Sequence, residues 1–430
     1  MTAQPMTPAR LQAWLALSAA HALPAAALRA LLSAFGDPQA VLAQPYGVLA
    51  EAVGEKAARA VATAARTDTG DEAERTSAWC ALPGHALVAL DDPAYPGALL
   101  NLHDPPPLLY VRGELQWLHA PSVAIVGSRT ATPQGIEDAG HFARELAGAG
   151  LVIVSGLALG IDAAAHRGAL ESGSGTVAVI GTGADLAYPA QHGVLADDIA
   201  ARGAIVSEWP LGTPARPAHF PQRNRLIAGM VKGVLVVEAA QRSGSLITAR
   251  LANEMGRDVF AIPGSIHAPL ARGCHHLIKD GAKLTETPLD ILEEWGLARR
   301  PPAEHARKHA RASSAPVPTA ASPAIAKRRR SVAGEPPRDA RPAAIGVRSY
   351  APLGALPLFA GEPEPSPPPA FSVNAARLLD ALGHAPAALE ILAARTEMSS
   401  AALQGALLEL ELRGHLTVLP GGRYVRHERR

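Results

Sequence analysis

Gly127-Ser128-Arg129, Ser155-Gly156 and Gly181-Thr182-Gly183 each follow a short apolar run, as do Ser207-Glu208, Glu238-Ala239 and Pro263-Gly264. Small residues and a few polar ones thus sit where each run ends, a phosphate site in outline. Glycine and serine let a ligand approach the main chain, the N–H groups of a strand-to-helix turn attract an anion, and arginine adds charge. Two further segments add donors. Phe220-Pro221-Gln222-Arg223-Asn224-Arg225 sets two guanidinium groups and an amide beside an aromatic ring, and Ser243-Gly244-Ser245-Leu246-Ile247-Thr248 opens a helix that carries Arg250. The phosphates of a nucleic acid need several donors in a row, and a base needs a flat face to stack on.

Two other constellations point to catalysis or metal. Ser155, Asp162 and His166 fall within one strand-turn-helix, the outline of a hydrolytic triad. The simpler reading is that Asp162 braces a helix start and His166 packs beside it. Cys274-His275-His276 has metal-ligand types, but adjacent residues rarely converge on one ion, so no metal is expected. No G-x-G-x-x-G follows the first strand and no G-x-x-x-x-G-K-[ST] occurs anywhere, which sets aside a dinucleotide cofactor and a P-loop ATPase.

The elements that must position these groups follow from the pattern. Val123–Val126, Leu151–Val154, Thr176–Ile180, Ala204–Val206, Val234–Val237 and Val259–Ile262 are short runs apolar on both faces, separated by helical stretches. Such runs suit buried parallel strands with helices on either side. The fold class is therefore α/β, an extended Rossmann-like doubly wound parallel sheet over residues 76–298. In that architecture ligands bind at the carboxyl ends of the strands, where the small and polar residues fall. Residues 1–75 read as a helical module, with Leu11, Trp14, Leu15 and Leu17, then Leu28, Leu31, Leu32 and Phe35, at helical spacing. Residues 299–370 hold 15 of the 38 prolines and the run Lys327-Arg328-Arg329-Arg330, the composition of a disordered linker. Residues 371–430 show helices at Asn374–Leu382 and Ala387–Arg395, a third capped by Ser399, and a hairpin about Pro-Gly-Gly, which together make a winged-helix shape.

Length and composition bound these readings. A chain of 430 residues is too long for one ordinary domain, and a formal charge of +1 excludes a global polycation. Any nucleic-acid contact must come from a local patch. Arginine supplies 34 of the 40 basic residues, a bias that coding composition explains as well as phosphate binding does. Cys80 and Cys274 stand alone, ruling out a disulfide framework, and no apolar run is long enough for a membrane span. A reduced, cytoplasmic setting with no membrane contact is expected.

Asp92-Pro93-Ala94-Tyr95-Pro96, Pro106-Pro107-Leu108-Leu109-Tyr110, Val126-Gly127-Ser128-Arg129, Ser155-Gly156-Leu157-Ala158 with Gly160-Ile161-Asp162, Ala165-His166, Tyr188-Pro189, Ser207-Glu208, Phe220-Pro221 with Arg223-Asn224-Arg225, Glu238-Ala239 with Ser243-Gly244-Ser245, Thr248-Ala249 and Pro263-Gly264 together resemble, in this order, the DNA-processing protein DprA (Smf) family over most of residues 85 to 285. The resemblance implies a non-enzymatic protein that binds single-stranded DNA, shields incoming DNA during natural transformation, helps load the RecA recombinase and works as a homodimer. Carried over residue by residue, it implies a phosphate pocket at Gly127, Ser128 and Arg129, joined by Ser155 and Gly156. It sets Phe220 near a displaced or stacked base and Arg223, Asn224 and Arg225 along the strand, with Ser243, Gly244 and Thr248 as further contacts. The alternative on the same fold is a nucleoside-monophosphate phosphoribohydrolase, whose P-G-G-x-G-T signature is absent here. Two departures from the family stand out. His21-Ala22-Leu23-Pro24 replaces a glycine-bearing hairpin in the N-terminal module, and the third C-terminal helix, Ser399–Arg413, carries Glu409 and Glu411 with one basic residue. A helix that reads the major groove needs more donors, so that module is expected to contact protein or to regulate.

Overall fold

The computed structural model describes residues 3, 6–297, 371–383, 386–419 and 423–426. The linker expected over 299–370, with its basic run, lies outside the described residues. Six helices open the chain: α1 (Pro8–Ala19), α2 (Ala25–Phe35), α3 (Pro38–Leu42), α4 (Tyr46–Val53), α5 (Glu55–Ala64) and α6 (Gly70–Cys80). Thr7 and Asp37 cap α1 and α3 through their side chains, each ahead of a proline that tolerates the first helical turn. Gly36 ends α2 at positive φ.

The central sheet then runs β1 (His85–Ala89), β2 (Leu108–Gly113), β3 (Ser122–Val126), α7 (Pro133–Gly148), β4 (Val152–Ser155), α8 (Ile161–Glu171), β5 (Thr176–Val179), α9 (Gly193–Arg202), β6 (Ala204–Ser207), α10 (His219–Met230), β7 (Gly233–Val236), α11 (Gly244–Glu254), β8 (Asp258–Ala261), α12 (Arg272–Lys279), β9 (Lys283–Leu284) and α13 (Pro288–Glu294). Strand order is β1-β2-β6-β5-β4-β3-β7-β8-β9. The six strands expected from sequence are present and pair in parallel. The expected doubly wound parallel sheet is thus present, with two further strands at one edge, where β1 pairs with β2 and β2 with β6, both antiparallel. Chain order reverses between β3 and β7, a topological switch point where the strand ends leave a crevice.

Both faces of the sheet are buried, which is why its strands are apolar throughout. Ala124, Val126, Val154 and Val234 pack into one core with Leu226 of α10, Ala249 of α11 and Trp14 and Leu31 of the N-terminal helices. Val123, Ile125, Ile153 and Leu235 point the other way into a core with Phe142 of α7 and Ala165 of α8. Among the described residues no helix is long and apolar enough to cross a membrane.

The C-terminal module is α14 (Val373–Leu382), β10 (Ala387–Ala388), α15 (Leu389–Thr396), α16 (Ser400–Leu412), β11 (Leu416–Leu419) and β12 (Arg423–Arg426). Ser399 caps α16 as expected, its hydroxyl accepting from the Ala402 N–H. The hairpin strands pair antiparallel, and the start of the helix expected over Ala387–Arg395 is instead a strand paired to β12. The module has its own core of Leu378, Leu382, Leu392, Leu403, Leu407 and Leu410. It meets the central domain through Arg395, whose guanidinium donates to both Glu137 carboxylate oxygens (2.8 and 2.7 Å) and to Gln134 Oε1 (3.0 Å) on α7.

α7 and α8 approach closely because two glycines face each other. A Cβ on Gly168 would lie 2.3 Å from the Gly140 carbonyl oxygen. Gly168→Ala therefore forces the helices apart, and we expect it to cost about 1–3 kcal/mol in urea unfolding. His166 on α8 is fully buried, with Nδ1 2.8 Å from the Thr176 hydroxyl. Burial, reinforced by the charge of Arg223, lowers its pKa to about 3. Between that value and the ordinary 6.5 the unfolded chain binds a proton that the folded one does not. This contribution to stability is complete above about pH 6.5 and falls by up to about 1.4 kcal/mol per pH unit below it. Burial raises the pKa of Asp162 and Glu208, which act in the opposite sense. The comparison is thus made between proteins: from pH 7.5 to 5, urea unfolding of wild type should lose more stability than that of His166→Asn.

Candidate nucleic-acid interface

The crevice at the switch point is a cleft of about 620 Å³, lined by Gly127, Ser128, Arg129 and Thr130 from the β3–α7 loop, by Phe220, Pro221, Arg223 and Asn224 of α10, and by Arg242, Ser243, Gly244, Ser245, Ile247 and Thr248 about the start of α11. Its loops have little freedom. A Cβ on Gly127 would sit 2.6 Å from Ile161 Cγ1, and one on Gly160, whose φ is +76°, 2.3 Å from the Ser128 carbonyl oxygen. That carbonyl accepts the Ile161 N–H, so the arginine-bearing loop rests on the start of α8.

Carboxylates of the chain itself already occupy the turns that lead into α7 and α8. Glu238, just after β7, accepts from the Thr132 N–H (2.9 Å) and hydroxyl (2.5 Å), and a Cβ on Gly135 would meet its carboxyl carbon at 2.4 Å. Asp162 in the first turn of α8 accepts from the Gly156 N–H (3.1 Å) and the Ala158 N–H (3.3 Å). The expectation that these turns present free N–H groups to a ligand is corrected at Thr132, Gly156 and Ala158. α11 differs: Ser243 caps it, yet Gly244 faces open space.

Cationic charge is layered. Arg223 is only 4% exposed and forms the floor, its Nη1 donating to the Val179 carbonyl (3.0 Å). Gly156 admits it, since a Cβ there would lie 1.4 Å from that nitrogen. Burial lowers its pKa to about 10, Asp162 opposes that shift, and Arg129 adds to it. Asp162, conversely, is raised by burial and held down by Arg223. At the rim Arg129 is exposed, its guanidinium 5.1 Å from the Phe220 ring centroid. The Phe220 ring rests against Gly181. It is fixed by its neighbour His219, which stacks on Trp209 at 3.7 Å and contacts the Gly181 carbonyl. Tyr188, 45% exposed, lies 5.7 Å from Phe220 at a tilt of 41°. Exposed Arg216 and Arg242 complete the lining.

The residues selected from sequence thus separate. Gly127, Ser128, Arg129, Phe220, Arg223, Asn224, Ser243, Gly244 and Thr248 line the cleft. Asn224 donates to the Gly244 carbonyl (3.3 Å), and Thr248 is buried, so these two also brace the walls. Three expectations are corrected. Ser155 is fully buried with its hydroxyl on the Ile125 carbonyl (2.6 Å), and Gly156 lies beneath the floor as the seat of Arg223. Arg225 is two residues from Arg223 on a helix, hence on another side, where it pairs with Glu208 and Asp104. Sequence reasoning passed over Tyr188, Arg216 and Arg242 as site residues. The last two were detectable as arginines in the loops that follow β6 and β7. Tyr188 required the fold, because nothing in its spacing ties it to Phe220.

The catalytic and metal readings find no support among the described residues. His166 bonds to the Thr176 hydroxyl, and Ser155 donates to the Ile125 carbonyl, so Ser155, Asp162 and His166 form no triad. Cys274 is buried against the Val236 and Val237 carbonyls, His275 contacts Gly264 and His276 faces Asp280. Among the described residues no group of three His, Cys, Asp or Glu is placed to hold a metal.

A family model described as DNA recombination-mediator protein A matches residues 86–296, and one described as the DprA winged helix domain matches residues 362–422. Protein Smf of Escherichia coli K12 is 43% identical over 227 residues, 52% of this chain and 61% of that protein, so the match spans less than two thirds of it. DNA processing protein DprA of Streptococcus pneumoniae is 47% identical over 225 residues, 52% of this chain and 78% of that one. Protein Smf of Synechocystis is 35% identical over 340 residues, 78% of this chain and 79% of the relative. The X-ray structure of DprA from S. pneumoniae superposes with a TM-score of 0.59 at 37% identity, covering 68% of this chain and 99% of that one. With its switch-point cleft, its C-terminal winged helix and relatives matched over most of their length, the chain belongs to the DprA/Smf family of DNA-processing proteins.

Proposed function

We propose that this protein binds single-stranded DNA along the switch-point cleft, without regard to sequence, and acts as a recombination mediator rather than an enzyme. The observation that carries the reading is the row Arg129, Phe220 and Tyr188 at the rim, with Arg216 and Arg242 beside it. Rings stack on any base and arginines track the backbone, a combination suited to single strands. In the fuller form of the proposal it works in the cytoplasm as a homodimer, shields incoming DNA during transformation and hands it to RecA. The division at residues 75, 298 and 370 belongs to the same proposal.

The phosphoribohydrolase alternative needs a carboxylate free to act on a bound nucleotide. Asp162 and Glu238 are both engaged by main-chain N–H groups, which weighs against it.

Fluorescence anisotropy of labelled single-stranded and duplex oligonucleotides at two salt concentrations tests the proposal, with nucleoside monophosphates as competitors. Single strands should be preferred with a steep salt slope. Displacement by a monophosphate would overturn the reading in favour of the enzyme. Arg129→Ala should weaken binding of every sequence alike and lower the log–log salt slope by about 0.7, the value for one lost phosphate contact. Arg225→Ala should leave that slope unchanged. It should instead cost roughly 3 kcal/mol in urea unfolding, because Glu208 is left buried without its partner. Removal of residues 371–430 should leave the single-strand affinity within about twofold of wild type, since none of the described residues among them lines the cleft; a larger loss would place DNA on the winged helix.

A further inference from the structure

In a winged helix the third helix is the one that enters the major groove, and its outer face carries the donors that do so. The outer face of α16 is apolar. Ala401, Gly405, Leu408 and Leu412 are all exposed, spaced i, i+4, i+7 and i+11, while Leu403, Ala406, Leu407 and Leu410 fill the module's own core on the opposite side. Leu408 is 57% and Leu412 79% exposed. The basic residue at the helix end, Arg413, is engaged with Glu409 (3.1 Å) and sits 5.3 Å from the Phe371 ring centroid. The described residues of the module carry five carboxylates and five arginines, a net charge of zero. Neither the helix face nor the module's charge suits a polyanion.

We infer that this face pairs with the same face of a second copy of the chain, the two α16 helices antiparallel about a two-fold axis between Ala406 and Leu407. The order of side chains supplies the reason. The stripe is small at its amino end and large at its carboxyl end. An antiparallel pair therefore seats Leu412 of each copy over Ala401 of the other, and Leu408 over Gly405, knobs into the hollows left by small residues. The same operation sets Gln404 opposite Glu409. It also brings the acidic carboxyl end, Glu409 and Glu411, to the amino end of the neighbouring helix, where the helix dipole favours negative charge. A parallel pair would set leucine on leucine and carboxylate against carboxylate. Such a contact is isologous, as a two-fold dimer requires. α16 has 13 residues and is about 20 Å long, so the pair buries less than the roughly 1,600 Å² of a standard interface and forms reversibly.

Disulfide trapping in the full-length chain suits a contact of that kind. Ala401→Cys and Leu412→Cys are made separately on a Cys80→Ala background, one variant carrying a tag so that the products differ in mass. Both positions are exposed and lie outside the module's core. In the antiparallel pair Ala401 of one copy lies beside Leu412 of the other. Two Ala401 positions, or two Leu412 positions, are about 16 Å apart along the axis, beyond the roughly 7 Å a disulfide spans. Mild oxidation of the mixture should yield the mixed disulfide at least fivefold over either self-linked product, and Leu408→Glu in both variants should abolish it. Self-linked products in excess would overturn the antiparallel pairing. No product at all, or a mixed product that survives Leu408→Glu, would overturn self-pairing through this face. The readout involves no DNA, so it stands apart from the outcome of the binding experiments.

Discussion

The cleft depends on one buried charge. Arg223 lies under the loops of the switch point in a place that only a glycine at 156 leaves open, with Asp162 as its electrostatic counterweight. A guanidinium stripped of water is expensive unless it is paired and hydrogen-bonded. Here the Val179 carbonyl takes one proton, and Asp162 supplies the opposite charge while tying down the N–H groups of Gly156 and Ala158. The carboxylate thus fixes the loop that makes room for the guanidinium, and the guanidinium offsets the cost of burying the carboxylate. Arg223 has α10 built around it, so the position of Phe220 on that helix follows from the same arrangement.

That arrangement also explains why the anion-binding capacity of the sheet edge is uneven. In a mononucleotide site the helix ends at the switch point hold phosphate. Here Glu238 holds the N–H of Thr132, which caps α7, and Asp162 holds those of Gly156 and Ala158 in the loop before α8, and the accessible cations stand higher, at Arg129, Arg216 and Arg242. Charge displayed along a rim suits a chain of phosphates better than a single one, because each guanidinium meets a different phosphate and none needs full enclosure. The stacking pair of Tyr188 and Phe220 adds a surface that is indifferent to base identity.

Much of this was legible in the sequence where the physics is local. A strand buried on both faces must be apolar at every position, so the six parallel strands stood out, as did the turns of glycine and serine that end them. The antiparallel edge did not. His85–Ala89 and Leu108–Gly113 are separated by a segment rich in turns, and their pairing depends on a partner strand nearly a hundred residues further on. Side-chain direction was legible only in part. Arg223 and Arg225 look equivalent as a pair of arginines, but helical geometry turns one under the cleft and the other toward Glu208. The role of Glu238 was hidden for the same reason: a glutamate after a strand reads as a ligand contact until Thr132 and Gly135 of a distant loop are seen around it.

The two ends of the chain differ in how they relate to this core. The N-terminal helices share the apolar core on one face of the sheet, with Trp14 and Leu31 in the same packing as Leu109 and Val111 of β2. The winged helix keeps a separate core, and Arg395, with its forked contact to Glu137, joins it to α7 through polar groups. A module joined by polar contacts and filled by its own leucines can come away without opening the sheet. Independence of that kind also removes any need for the outer face of α16 to match the cleft in charge. Its leucines can serve a contact between proteins while the arginines of the rim serve nucleic acid.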